Sequence, residues 1–134
     1  MTETAMVISV VIILAAFLVP RFHTGMKNLN LQSALHESVT AINYARQAAI
    51  TLRDVVQLHI PHGSRTIYVV NVDTGDTLKT FYMPPQTFVR EAVGPLTFEP
   101  RGICSSGQLH VENPDHYYKV EINRVARTEV VYQN

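Results

Sequence analysis

Asp73-Thr74-Gly75 is the triplet with which paired aspartates share a proton and activate water. One chain carries one copy, so that chemistry would need two chains. The triplet is followed by Asp76 and lies between two alternating segments, where Asp and Gly serve a tight turn. A turn is the expectation. His59 and His62 are spaced H-x-x-H, which on a helix supports metal binding. Here they straddle Pro61 at a strand end, with no carboxylate or cysteine nearby in sequence, so they are expected as surface histidines. His110 and His116 lack an evident partner and are read the same way. Cys104 is the single cysteine, so no disulfide forms within the chain, and no histidine is placed beside it to activate a thiolate. It reads as a small buried hydrophobe. There is no glycine-rich phosphate loop, G-x-S-x-G elbow or C-x-x-C pair. The expectation is a non-enzyme with no catalytic residue, metal or cofactor; the rival is a membrane-anchored hydrolase built on Asp73.

Two charged features remain. Glu3 stands just ahead of an apolar run, where a carboxylate at membrane depth is costly without a partner. It is either a first-turn helix acid at headgroup level or one half of a pair whose cation lies on another subunit. Arg124 and Arg127, in Arg124-Val125-Ala126-Arg127, are the one local basic feature. They are either turn arginines on a solvated hairpin or contacts for a phosphate backbone, with Glu121 and Glu129 flanking them.

The chain must position these groups with 134 residues, about one domain. Net charge is zero and pI about 7.0, so the global basic excess of a dedicated nucleic-acid binder is absent and such a role needs a local patch. From Ala5 to Val19 the sequence is apolar except for Ser9. Fifteen helical residues rise about 22 Å, marginal against a hydrocarbon core of about 30 Å. A cleaved secretory signal fits poorly. No basic residue precedes the run, and Pro20-Arg21-Phe22 is no small-residue cleavage site. Residues 1–25 are therefore expected as a membrane or filament-core helix, interrupted at Pro20. Residues 26–54 follow as an amphipathic helix with the stripe Leu31, Leu35, Val39, Ile42, Ala45, Ala49 and Leu52. After Asp54 the period changes to two. Strands are expected over 55–60, 66–72, 77–82, 87–91, 96–99, 108–112, 117–123 and 128–132, separated by turn residues. Residues 55–134 then form a β-rich domain, and the class is α+β, a long N-terminal helix packed on an antiparallel sheet.

Thr2-Glu3, the run containing Ile13-Leu14-Ala15-Ala16, and then Pro20 resemble the start of a mature type IV pilin-like protein, including the step from Glu to Pro. Ala45-Arg46-Gln47-Ala48-Ala49-Ile50 before Val56-Gln57-Leu58 resembles the helix-to-strand junction of the GspH/FimT-type minor pseudopilins. Phe98-Glu99-Pro100-Arg101-Gly102 running into Gly107-Gln108-Leu109-His110-Val111, and the closing Tyr118-Lys119-Val120-Glu121-Ile122 with Arg124, resemble the same family. Each motif alone is weak; their order and spacing span nearly the whole chain. The resemblance implies a minor pilin or pseudopilin of a type IV pilus or type II secretion filament, with a DNA-binding minor pilin of natural transformation as the alternative. It implies processing by prepilin peptidase, residence in membrane lipid, and extraction by an inner-membrane assembly platform. In that scheme Glu3 pairs with a neighbouring subunit's N-terminal amine. It also implies a single-pass inner-membrane protein with its β-domain in the periplasm or outside the cell. The positive-inside rule applied to Arg21 and Lys27 alone would put the β-domain in the cytoplasm instead.

Overall fold

The computed structural model describes residues 2–61, 63–91, 94–125 and 128–133, and the side chains of most of them. A single helix, α1, runs from Thr2 to Leu52. Its 51 residues make a rod roughly 75 Å long. The expected interruption at Pro20 does not occur, since the helix assignment continues through it. A proline removes one backbone donor and crowds one carbonyl, which a long helix absorbs without ending. The helix stops after Leu52, where Arg53 takes the left-handed conformation (φ 57°) that more commonly falls to glycine at a helix C-terminus.

The two halves of α1 live in different surroundings. Thr2–Val19 has a mean hydropathy of 2.3 and none of it is buried. From Leu31 onward one face goes fully inside: Leu31, Ala34, Ser38, Ala41, Ile42, Ala45 and Ala49. Four of the seven residues of the expected stripe are in that set. Leu35 and Val39 are half-buried and Leu52 is 47% exposed. The small residues Ala34, Ser38 and Ala41 let the sheet approach closely. The Ser38 hydroxyl donates to Ala34 O at 2.8 Å, which satisfies it locally in an otherwise apolar wall.

Eight strands follow: β1 (Val56–His59), β2 (Thr66–Asn71), β3 (Thr77–Tyr82), β4 (Phe88–Glu91), β5 (Leu96–Phe98), β6 (Gly107–Glu112), β7 (Tyr117–Ile122) and β8 (Thr128–Gln133). Each lies within a residue of its expected limits. All pairings are antiparallel, and the class is α+β. The strands form two sheets rather than one, in the orders β3-β2-β1-β5 and β4-β6-β7-β8. The first sheet lies along α1 through all four strands, and the second touches the helix through β6. The core between these layers holds Val56, Leu58, Ile67, Val69, Leu96, Phe98, Leu109, Val111 and Val120, each about 1% exposed or less. The segment 103–105 joins the sheets. Ser105 N donates to Thr97 O at 2.9 Å on the β5 side, and Cys104 N donates to Arg124 O at 2.9 Å beyond β7.

Candidate assembly and recognition surfaces

Glu3 lies exposed in the first turn of α1, at the outer end of the unburied half. Among the described residues, buried helical positions begin at Leu31, so Glu3 stands on the order of 40 Å from that packed half. Between them Met6, Val7, Ile8, Val10, Val11, Ile12, Ile13, Leu14, Phe17 and Leu18 are all more than half exposed. An apolar helix this long with no covering face cannot remain in water. The β-domain grips its other half through the core. Lys27 Nζ adds an ion pair of 2.9 Å with Asp115 Oδ2 in the β6–β7 turn, just where the exposed half begins.

Arg124 is exposed and follows β7, roughly at the opposite end of the molecule. No described residue pairs with its guanidinium. It borders an open groove of about 460 Å³ with Thr97, Glu99, Ile103, Cys104, Ser105 and Val125. Arg127 lies outside the described residues. The flanking acids differ from each other. Glu121 Oε1 is held by Lys119 Nζ at 2.6 Å, whereas Glu129 faces Glu121 across the β7–β8 ladder. Glu3 and Arg124 are thus not brought together; two separate surfaces result.

Asp73 and its neighbours form the expected turn. Asn71, 4% exposed, organises it: its Oδ1 accepts from Asp73 N at 2.9 Å and Thr74 N at 3.3 Å, and its own N–H is bonded to Asp76 O. Gly75 supplies the positive φ of 76°. The Asp73 carboxylate points to solvent, so this arrangement offers no confined site for proton chemistry. Asn71 Nδ2 also donates to Asp54 Oδ2 at 3.0 Å, tying the turn to the end of the helix.

Among the described residues no group of three or more His, Cys, Asp and Glu could hold a metal ion. His59 is exposed with its ring 6.4 Å from that of Tyr68, and His116 is exposed in the β6–β7 turn; His62 lies outside the described residues. His110 stacks on Tyr117 at 6.0 Å. Burial holds its pKa below the usual value, with Arg90 and Lys119 pushing the same way and Glu112 opposing. Cys104 is buried at 2% exposure, and desolvation pushes its thiol up to about 11, so it is protonated and unreactive at neutral pH.

A family model described as type II transport protein GspH matches residues 34–126, well over half of the chain. Among curated proteins none matches in sequence. Among solved structures, the type IV minor pilin FimU of Pseudomonas aeruginosa (strain PAO1) superposes with a TM-score of 0.63 at 17% identity, covering 81% of this chain and 91% of that one. The minor pseudopilin EpsH of the type 2 secretion system of Vibrio cholerae superposes with a TM-score of 0.59 at 11% identity, covering 75% and 96%. At these identities the likeness concerns the fold. The match over 34–126, which runs from the buried helix face through β7, establishes that this chain belongs to the GspH family of type II transport proteins.

Proposed function

We propose that the chain is a minor pilin or pseudopilin, a non-catalytic subunit of a type IV pilus or type II secretion filament. One observation carries this reading: Thr2–Val19 is apolar and wholly unburied, yet rigidly continuous with a helix locked into a β-domain. Eighteen residues rise about 27 Å, close to a hydrocarbon thickness of about 30 Å, so lipid can hold the segment before assembly. Within a filament the same side chains pack against equivalent helices, and the β-domain is presented outward for recognition of other subunits. Prepilin peptidase and an inner-membrane platform are the partners such a subunit requires, and the β-domain then lies on the periplasmic side or outside the cell. FimU and EpsH, with which the fold is shared, are described as a minor pilin and a minor pseudopilin.

The test uses the buried state of Cys104. A cysteine introduced at Leu14 is the reactive one, because the native thiol is inaccessible. In sheared filaments from cells carrying the machinery, Leu14→Cys should cross-link to the helices of other subunits. Filaments that assemble normally but never contain this chain would overturn the proposal.

A second reading is favoured by Arg124, exposed beside the groove and unpaired among the described residues: a minor pilin that takes hold of DNA phosphates during uptake. The Lys119 contact already occupies one of the two acids that would oppose it.

A further inference from the structure

The two sheets carry opposite kinds of outer face. On the second sheet, the side away from the core bears Arg90, His110 and Lys119 in one row across three strands, with Glu112, Glu121 and Glu129 in adjacent rows. No Asp, Glu, Lys or Arg side chain from the strands of the first sheet stands on that side, and its one histidine among the described residues is His59. Register places Tyr82 opposite Thr66, then Thr80 and His59 on either side of Tyr68, then Thr77, Val70, Gln57 and Thr97 in line. Two nearby cations are turned away, and Arg124 stands beyond Thr97 at the β5 edge, outside the strands. Lys79 lies on the core side, 4.9 Å from the Tyr44 ring and 5.0 Å from the Phe81 ring. Arg65, preceding β2, directs Nη2 to Met83 O at 3.3 Å.

Three rings cross this face diagonally. His59 and Tyr68 are 6.4 Å apart at a 35° tilt, and Tyr82 sits one pair further on the neighbouring strand, 74% exposed. Diagonal neighbours in a sheet lie within reach of aromatic side chains. Hydroxyls and an amide from Thr66, Thr80 and Gln57 flank the track. The backbone groups of β1 and β2 are consumed by strands on both sides, so only side chains can make contacts here.

We propose that this face binds a neutral glycan chain. Sugar rings offer apolar C–H faces that stack on aromatic rings, and peripheral hydroxyls that both donate and accept, matching Thr and Gln. Absence of charge argues against a polyanion, whose binding needs cations to displace counterions. A protein partner would bury these hydroxyls and the amide against a surface offering mainly Val70 as aliphatic contact, leaving polar groups to be matched one by one. This inference is independent of filament assembly.

The test is calorimetric titration of the full chain, in zwitterionic detergent, with two probes: the hexamers of β-1,4-linked glucose and of β-1,4-linked N-acetylglucosamine. At least one should bind, with a Kd unchanged between low and high salt. Tyr82→Ala should weaken it about tenfold or more, Tyr82→Phe should retain it, and Glu112→Gln on the other sheet should leave it unaltered. Tyr82 is exposed, so its removal leaves the core intact. Binding of neither hexamer, or a Kd indifferent to Tyr82→Ala, overturns the proposal. So does a Tyr82-dependent self-association of the chain, which would make the face a protein interface.

Discussion

Gly107, at the start of β6, lies so close to Leu96 of β5 that a Cβ on the glycine would fall 2.4 Å from Leu96 Cδ2 and 3.3 Å from Cγ. Leu96 is 1% exposed and has little room to withdraw. The two sheets therefore meet at a point where only hydrogen fits. Gly107→Ala should destabilise the fold by about 1–3 kcal/mol through overpacking. Pairing it with Leu96→Val should recover part of that loss in a denaturant-midpoint measurement. If the double variant is simply the sum of two losses, the close approach is not the cause.

Asn71 and Asp73 give opposite expectations two residues apart in the same turn. Asn71→Ala removes a buried acceptor for two backbone N–H groups and the donor to Asp54, and should cost about 1–3 kcal/mol. Asp73→Asn changes an exposed group and should stay within about 0.5 kcal/mol of the parent. Thermal melts of both variants check the pair. A hydrolytic turnover abolished by Asp73→Asn would restore the rival reading of this triplet.

His110 should make stability depend on pH in one direction. Its native pKa is depressed, first by burial and then by Arg90 and Lys119, while an unfolded histidine titrates near about 6.5. Below that value the unfolded chain takes up a proton the native state resists. Stability therefore falls as pH drops through about 6.5, and the loss levels off once pH is below the native pKa. Tyr117 stacks on the ring and Glu112 opposes the shift, so both face the titrating group. His110→Gln should flatten this part of the curve of urea midpoint against pH. An unchanged slope in the variant would show that another group causes it.

The elements that were legible in the sequence are those whose period is set by burial on one side. Val56 and Leu58, or Leu109 and Val111, alternate with polar, less buried residues, so the strand limits could be read closely. The helix stripe was read only in part, because Ala34, Ser38 and Ala41 are small or polar and carry little apolar signal despite full burial. Division into two sheets was not legible. It depends on which strands pair, and segment 103–105 joins the sheets mainly through backbone groups, with Ser105 Oγ accepting from Thr97 N. Helix continuity through Pro20 went against local propensity, since a 51-residue helix has many bonds on either side to offset one lost donor. Glu3 and Arg124 were visible as isolated charges in their surroundings. The neutral face of the first sheet was not, because it exists only once β1, β2 and β3 are in register.

The DNA reading makes a prediction limited by its own size. Arg124 and Arg127 together contact about two phosphates, so log affinity for duplex DNA should fall with log salt at a slope near −2. Replacing both by Gln should abolish retention at low salt without moving the melting temperature, since Arg124 is exposed and its side chain is unpaired among the described residues. A mobility-shift titration of the full chain at two salt concentrations decides it. Equal binding by parent and double variant would remove the DNA reading.

Glu3 provides the sharpest separation between a local and an assembly role. As a first-turn acid it interacts with the helix dipole, worth about 0.3–1 kcal/mol, too little to decide whether a subunit enters a filament. As a carboxylate carried among apolar helices it must find a cation, because an unpaired charge there costs several kcal/mol. The resemblance to pilin-like proteins supplies one, the N-terminal amine of a neighbour. Glu3→Ala and Glu3→Gln should then both reduce incorporation into sheared filaments by an order of magnitude or more, while Glu3→Asp retains part of it. All three should leave the melting temperature of the β-domain unchanged, because Leu31, the first buried helical residue among those described, is on the order of 40 Å away. Quantitative immunoblots of sheared filaments against total cell protein make the measurement. Parental incorporation of Glu3→Gln would show that no charge pairing is needed, leaving Glu3 as an ordinary helix-start acid at the level of the headgroups.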